Sequence, residues 1–366
     1  MTWTAETVNQ TLDSYMVRRP ATANGFSISP DEVEPTARRV ADVMLSRRFR
    51  RGLKPSAEAQ AAIAGKLRFY VRRSQPVRLA IGYAPLKNLN ATERNQAEWA
   101  EAFSFHQLAR LDAAVQEVYP PGLRIRVACD DALLHWVNGV PARLTREYMA
   151  SLKELIARLD LDYLVERIFP VSRFMPLTHL TFSFTRARWR MQRWESDPAN
   201  RSAIETMDFH AFKNLMPTPN LSELERWALA RRASRRYRIF WEALELSGLP
   251  RLQRPVMALY SNERGLLRLF SLCTGNVSQP WQGEGCLRVN ENGELVPFVL
   301  TQERKDAFRV HWVNGLNVAG GLFDRIRVVE PVTTGTGHQI DSTTEVESNQ
   351  QEIAPALALA YPPRKE

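Results

Sequence analysis

The chain has 366 residues, of which 44% are hydrophobic and 24% charged, and a formal net charge of +9. These values exclude a disordered or collagen-like polypeptide and predict one large α/β domain with additions, or two modest domains. The excess of cations favours anionic partners, and no apolar run approaches the roughly 20 residues a membrane-spanning helix needs.

Met1 to Arg19 lacks an apolar run between a basic start and a small-residue cleavage site, so the expectation is no secretory signal and a cytoplasmic location. Cys129, Cys273 and Cys286 are widely spaced, as reduced thiols are, and no CxxC or HxxxH spacing marks a zinc site. No metal or cofactor is predicted. The first part of the chain, residues 1–46, reads as a helical and irregular extension punctuated by Pro20, Gly25 and Pro30. Residues 47–332 read as a Rossmann-like domain, and residues 333–366 as a mobile tail rich in Thr, Gly, Ser, Gln and Glu.

In chain order, helices are expected over Pro35–Ser46 and Ser56–Val71, the second with Ser56 as N-cap. Val77–Tyr83 reads as a short buried strand. Asn90, with Glu93 three positions on, resembles a capping box and predicts a helix carrying Trp99, Phe103, Leu108, Leu111 and Val115 towards Tyr119. Pro120-Pro121-Gly122 ends it, and Leu123–Cys129 is the next strand. Two strands joined by a long helix are most simply parallel. Helices follow over Thr145–Leu159 and Leu221–Leu246. From Pro255 the pattern turns to strands, over Val256–Tyr260, Leu266–Ser271, Cys286–Val289 and Leu295–Leu300, with a turn at Asn290–Gly293. The predicted class is thus α/β: a Rossmann-like sheet with a parallel βαβ core, extra helices and a strand-rich C-terminal part.

Open parallel sheets bind ligands outside the carboxyl ends of their strands. The two loops there place Lys87 and Asp130 at one edge. A lysine at that edge holds a phosphate or, with a lowered pKa, acts as a base, and an aspartate orients an amine or takes a proton. The bland alternative, a surface lysine and a turn aspartate, is equally open on geometry alone. No Gly-rich fingerprint follows Tyr83, which argues against a dinucleotide. Cys129 reads as a buried, inert thiol.

The stretch Gln75–Asn90 (QPVRLAIGYAPLKNLN) resembles the isocyanide (isonitrile) synthases of the pyoverdine/dityrosine biosynthesis family. In that family a strand runs into Pro-x-Lys-Ser-Pro-Asn, to which Pro85, Lys87 and Asn90 correspond. Tyr119-Pro-Pro-Gly122, Cys129-Asp130-Asp131 and Gly139-Val140 follow the family order. His210-Ala-Phe212, Ser234–Arg238 and Pro280-Trp281-Gln282-Gly283 are similar to later elements. The resemblance implies an enzyme without metal or cofactor. It joins the amino group of tyrosine or tryptophan to the ketone carbon of ribulose 5-phosphate and fragments the sugar, a lyase or transferase step of secondary metabolism. It further implies Lys87, Asp130 and His210 as catalytic residues. Asn90, Trp136, Arg235, Arg236, Trp281 and Gln282 are implied to bind substrate, and Tyr83 lies within reach of an aromatic slot.

Asn88 and Leu89 stand where the family has Ser-Pro and Asp131 where it has Gly, and two of the family's histidines are missing. Met257–Asn262 carries no histidine where the family has His-Pro, and Gln282 stands where the family has histidine. A divergent enzyme of the same fold, making another amino-acid-derived product, is therefore the alternative. Arg47–Arg51, Arg186–Arg193 and Arg231–Arg238 interleave arginines with aromatics as single-stranded nucleic-acid binders do. They fall on expected helices with no accompanying motif, so RNA binding ranks below the enzyme readings. His106 and His135 are expected to pack, and His179 and His311 to sit in strand-like structural surroundings. The sequence carries no sign of oligomeric state.

Overall fold

The computed structural model describes residues 3–17, 25–49, 57–89, 91–131, 134–135, 140–174, 177–213, 215, 221–246, 256–258, 280–318 and 323–332. In chain order these form α1 (Ala5–Tyr15), α2 (Val33–Met44), α3 (Ala57–Val71), β1 (Val77–Tyr83), α4 (Trp99–Gln116), β2 (Leu123–Cys129), α5 (Ala142–Arg158) and β3 (Val165–Pro170). Then come α6 (Leu177–Glu195), α7 (Arg201–Lys213), α8 (Glu223–Leu246), β4 (Val256–Ala258), β5 (Gly283–Val289), β6 (Leu295–Thr301), β7 (Phe308–Val318) and β8 (Phe323–Pro331). The chain divides into two units. Met1–Ala132, Pro141–Phe174 and Pro250–Pro331 belong to one, and Met175–Leu249 belongs to the other.

The first unit holds both sheets. Strands β1 and β2 occupy the predicted residues and pair in parallel, Val77 opposite Leu123 through Tyr83 opposite Cys129. Alternation sorts their side chains: Val77, Leu79, Ile81 and Tyr83, with Leu123, Ile125, Val127 and Cys129, face the core and are fully buried. On the other face Arg126 makes a two-pronged pair with Glu166 of β3, at 2.8 and 3.0 Å. The order is β3-β2-β1-β4, all parallel, and the carboxyl ends of β1, β2 and β3 share one edge. The Rossmann-like class is therefore as expected. Strand β3 was not predicted, because Glu166 and Arg167 interrupt its apolar pattern.

Helix α4 is buried nearly all round, and the structure explains why. It packs on β2 and on β5 and β6 of the second sheet, with Trp99, Phe103, Phe105, Leu108, Leu111 and Val115 buried. It starts at Trp99 rather than near Asn90. The capping box is Glu98 with Glu101, the Glu98 carboxylate accepting from Ala100 N–H and the Glu101 carboxylate from Glu98 N–H. After Asn88 the chain instead forms a turn, the Asn88 carbonyl accepting from Ala91 and Thr92. At the far end Gly122 adopts φ +63°, and the buried Asp112 carboxylate receives the Leu123 N–H at 2.6 Å as β2 begins. Helices α1 and α2 enter the same core through Val8, Leu12, Tyr15, Val40 and Met44.

The second sheet has the order β6-β5-β8-β7 and is mixed: β5 is antiparallel to β6 but parallel to β8. The β5–β6 hairpin turns as expected at Asn290–Gly293, with Gly293 at φ +79°. The antiparallel pair β7 and β8 was missed. It places His311 on a strand, where its Nε2 lies 3.6 Å from Glu330. His179 is on helix α6, not in a strand-like segment. Ser56, Leu266–Ser271, Cys273 and the tail from residue 333 lie outside the described residues.

Within the other unit, α6 and α7 each pack on α8. Buried Arg238 of α8 joins all three, reaching Glu195 at 2.9 Å, Asp208 at 3.4 Å and Ser234 at 2.6 Å. No helix among the described residues is long and apolar enough to cross a membrane.

Candidate active site

Strand β1 ends at Tyr83, and its pairing with β2 brings Asp130 beside it: the Asp130 N–H donates to the Tyr83 carbonyl at 3.0 Å. Asp130 is 9% exposed, a carboxylate at the carboxyl edge of the sheet as expected. Its neighbour Asp131 accepts from Ser172 N–H at 3.1 Å and from Ser172 Oγ at 2.5 Å, tying the end of β2 to the turn after β3. Cys129 is buried, and desolvation raises its thiol pKa, so it is held as the neutral thiol.

Lys87 follows β1 by one short loop but does not open onto solvent. Its side chain is 0% exposed, and its ammonium lies 2.8 Å from Glu98, 2.8 Å from Glu101, 2.9 Å from the Pro280 carbonyl and 3.0 Å from the Gly283 carbonyl. Three N–H donors meet four oxygens, so no donor is left for a phosphate. Burial works to lower the Lys87 pKa, but the Glu101 and Glu98 carboxylates outweigh it and the pKa is raised. Lys87 therefore stays charged, which is the opposite of what a general base requires.

The carboxylates that hold it were not singled out from the sequence. Glu101 is fully buried, and desolvation pushes its pKa up to about 7, against the lowering pull of Lys87. The Tyr148 hydroxyl of α5 donates to it at 2.7 Å. A chain of polar groups thus runs Lys87–Glu101–Tyr148 beneath the end of β1. Glu98 accepts in addition from Gly285 N–H at 3.0 and 3.1 Å. The local signal for these residues is the Glu98-x-x-Glu101 spacing, with which the Asn90–Glu93 pair competes in the sequence.

Around Tyr83 the site is aromatic. Its ring lies 4.8 Å from Trp281, 6.1 Å from Phe105 and 6.4 Å from Tyr148. Trp281 and Gln282 sit in one 3-10 turn before β5, both half-buried, and the Trp281 carbonyl accepts from Asn88 N–H at 2.8 Å. The first unit thus contains Lys87, Asp130, Trp281 and Gln282. Arg235, Arg236 and His210 belong to the other: Arg235 pairs with Glu195 at 3.1 Å, Arg236 is exposed on α8, and His210 is on α7 with its side chain outside the described residues. Asn90 and Trp136 also lie outside them. Among the described residues no group of His, Cys, Asp or Glu is arranged to hold a metal ion.

The fold and this edge define a Rossmann-like α/β protein whose sheet edge carries aromatic rings and carboxylates. Residues 67–211 match the family model described as pyoverdine/dityrosine biosynthesis protein, so the family resemblance read from the sequence is borne out over that span. The fold is similar to the crystal structure of the PvcA protein from Pseudomonas aeruginosa. That likeness has a TM-score of 0.57 at 14% identity and covers 77% of this chain and 97% of that one. No curated protein matches the chain.

Proposed function

We propose that this chain is an isonitrile-synthase-like enzyme that joins the amino group of an aromatic amino acid to the ketone carbon of ribulose 5-phosphate. The observation that carries the reading is the family match over residues 67–211, which spans the whole β1–α4–β2 unit and its carboxyl edge. The chemistry of that edge supports it. Imine formation and carbon–carbon cleavage need a group that takes and returns a proton, the role assigned to Asp130. An aromatic substrate needs an apolar wall, which the rings of Trp281 and Tyr83 supply. Gln282 contributes hydrogen bonds. Asn90 is assigned to substrate. Lys87 is assigned no contact with the sugar phosphate, since its donors are taken.

Incubation with ribulose 5-phosphate and a panel of amino acids, read by mass spectrometry, tests the reading. An isonitrile product supports it. Absence of product with every amino acid, together with no thermal shift from ribulose 5-phosphate, overturns it, because a bound ligand raises the melting temperature by mass action.

A second reading, a divergent enzyme of the same fold with a different product, is favoured by Gln282. An amide hydrogen-bonds but does not donate a proton near neutral pH as imidazolium does. If Gln282→His gains isonitrile formation that the parent lacks, the chain is a lapsed synthase. If it does not, the divergent reading stands.

A further inference from the structure

The loop after β1 does more than end a strand. Lys87 Nζ donates to the Pro280 and Gly283 carbonyls, which flank Trp281 and Gln282, while the next residue, Asn88, donates its N–H to the Trp281 carbonyl. Glu98, which anchors the same ammonium, takes the Gly285 N–H just beyond. The turn from Pro280 to Gly285 is thereby fastened at four points to a segment nearly two hundred residues earlier in the chain. One side of the Trp281 ring meets the fully buried Tyr83, and Trp281 as a residue is half-buried.

We infer that Lys87 is a positioning residue that holds the Trp281–Gln282 turn, so that the Trp281 indole forms the wall against which the aromatic ring of the amino-acid substrate stacks. The assignment of that ring to an amino-acid substrate rests on the reading under Proposed function; the clamp itself does not. A buried ammonium suits such a clamp. Hydrogen bonds from a charged donor to backbone carbonyls in a desolvated site are short and strong, and the two glutamates keep the charge in place. The clamp fixes backbone, not side chain, so it sets where the indole stands without touching the ligand.

The test uses the full chain carrying Lys87→Met together with Glu101→Gln, which replaces the buried charges with neutral groups of similar size. The first readout is acrylamide quenching of tryptophan fluorescence, each protein being compared with its own Trp281→Phe version so that Trp281 is read apart from the other tryptophans. The second is calorimetric binding of L-tyrosine, L-tryptophan and ribulose 5-phosphate. The inference expects Trp281 quenching to rise in the double variant. It also expects affinity for the aromatic amino acid to fall about tenfold, with ribulose 5-phosphate unaffected. Unchanged quenching in a folded double variant overturns the clamp, as does loss of ribulose 5-phosphate affinity alone. If the parent chain binds neither ligand, the proposed function fails while quenching still decides the clamp. Should the double variant not fold, acetylation of the native chain read by peptide mass spectrometry decides instead. Lys87 left unmodified under conditions that acetylate exposed lysines supports the clamp, and a readily acetylated Lys87 overturns it.

Discussion

Replacing Lys87 by Met alone removes the cation and leaves two carboxylates facing each other, one of them fully buried. Breaking a buried ion pair from one side costs about 3–5 kcal/mol, because the remaining charge is left without compensation. The cost has a pH signature. In the native chain Glu101 titrates at about 7, above the ordinary carboxylate range, because burial disfavours its charge. A carboxyl whose folded pKa is raised contributes stability that is full below its unfolded value and lost as pH rises through the folded value. From pH 4.5 to 7 the loss is roughly 3 kcal/mol, at about 1.4 kcal/mol per pH unit. Above pH 7 the native chain has no more to lose from this group. Without Lys87, which pulls the Glu101 pKa down, the variant goes on losing about 1.4 kcal/mol per unit above pH 7. Urea melts followed by circular dichroism at pH 6 and pH 8 therefore expect a gap between native chain and variant that widens at pH 8. For the 3–5 kcal/mol loss, the melting temperature falls by about 6–20 °C. Adding Glu101→Gln recovers much of the loss, since a neutral buried pair needs no counter-charge. Equal midpoints at pH 8, or a gap independent of pH, would refute the reasoning.

Two further substitutions probe how the same unit is held together. At Gly285 a Cβ would overlap the Trp99 and Ala100 backbone where β5 crosses the start of α4. Gly285→Ala is expected to cost about 1–3 kcal/mol or more by overpacking, read as a lowered urea midpoint. Burial pushes the Asp112 pKa up to about 6, so native stability carries a component that is full below the ordinary Asp value and lost as pH rises to 6. His106 works the other way in the same window: burial lowers its pKa to about 4, adding stability as pH rises. The difference between native chain and Asp112→Asn isolates the aspartate: the stability of the variant relative to the parent is expected to rise with pH across pH 4–6.

The first half of the parallel sheet was readable because local signals there agree. Val77–Tyr83 and Leu123–Cys129 are short apolar runs bounded by Pro, Gly and turn residues, and no other element competes for them. The edge that places Asp130 beside Tyr83 followed from that topology. Sequence did not reveal which way Lys87 turns. Its direction is set by Pro280, Gly283 and Glu101, and partners nearly two hundred residues away leave no local pattern. Strands β7 and β8 escaped because Trp312, Arg325 and Arg327 on one face, and His311 on the other, break the apolar alternation. Both arginines pack over the Trp312 ring, at 4.4 and 4.7 Å, a cross-strand arrangement that composition alone reads as a charged loop.

Helix α4 touches both sheets, and this bears on how the chain is made. Its Trp99 indole donates to the Arg325 carbonyl, 226 positions later, and its second face packs on β5 and β6. On a ribosome, β1, α4 and β2 emerge long before the strands that cover that face. A nascent chain halted after residue 175 should thus display Trp99 and its apolar neighbours, bind chaperones, and resist protease only once β5–β8 have followed.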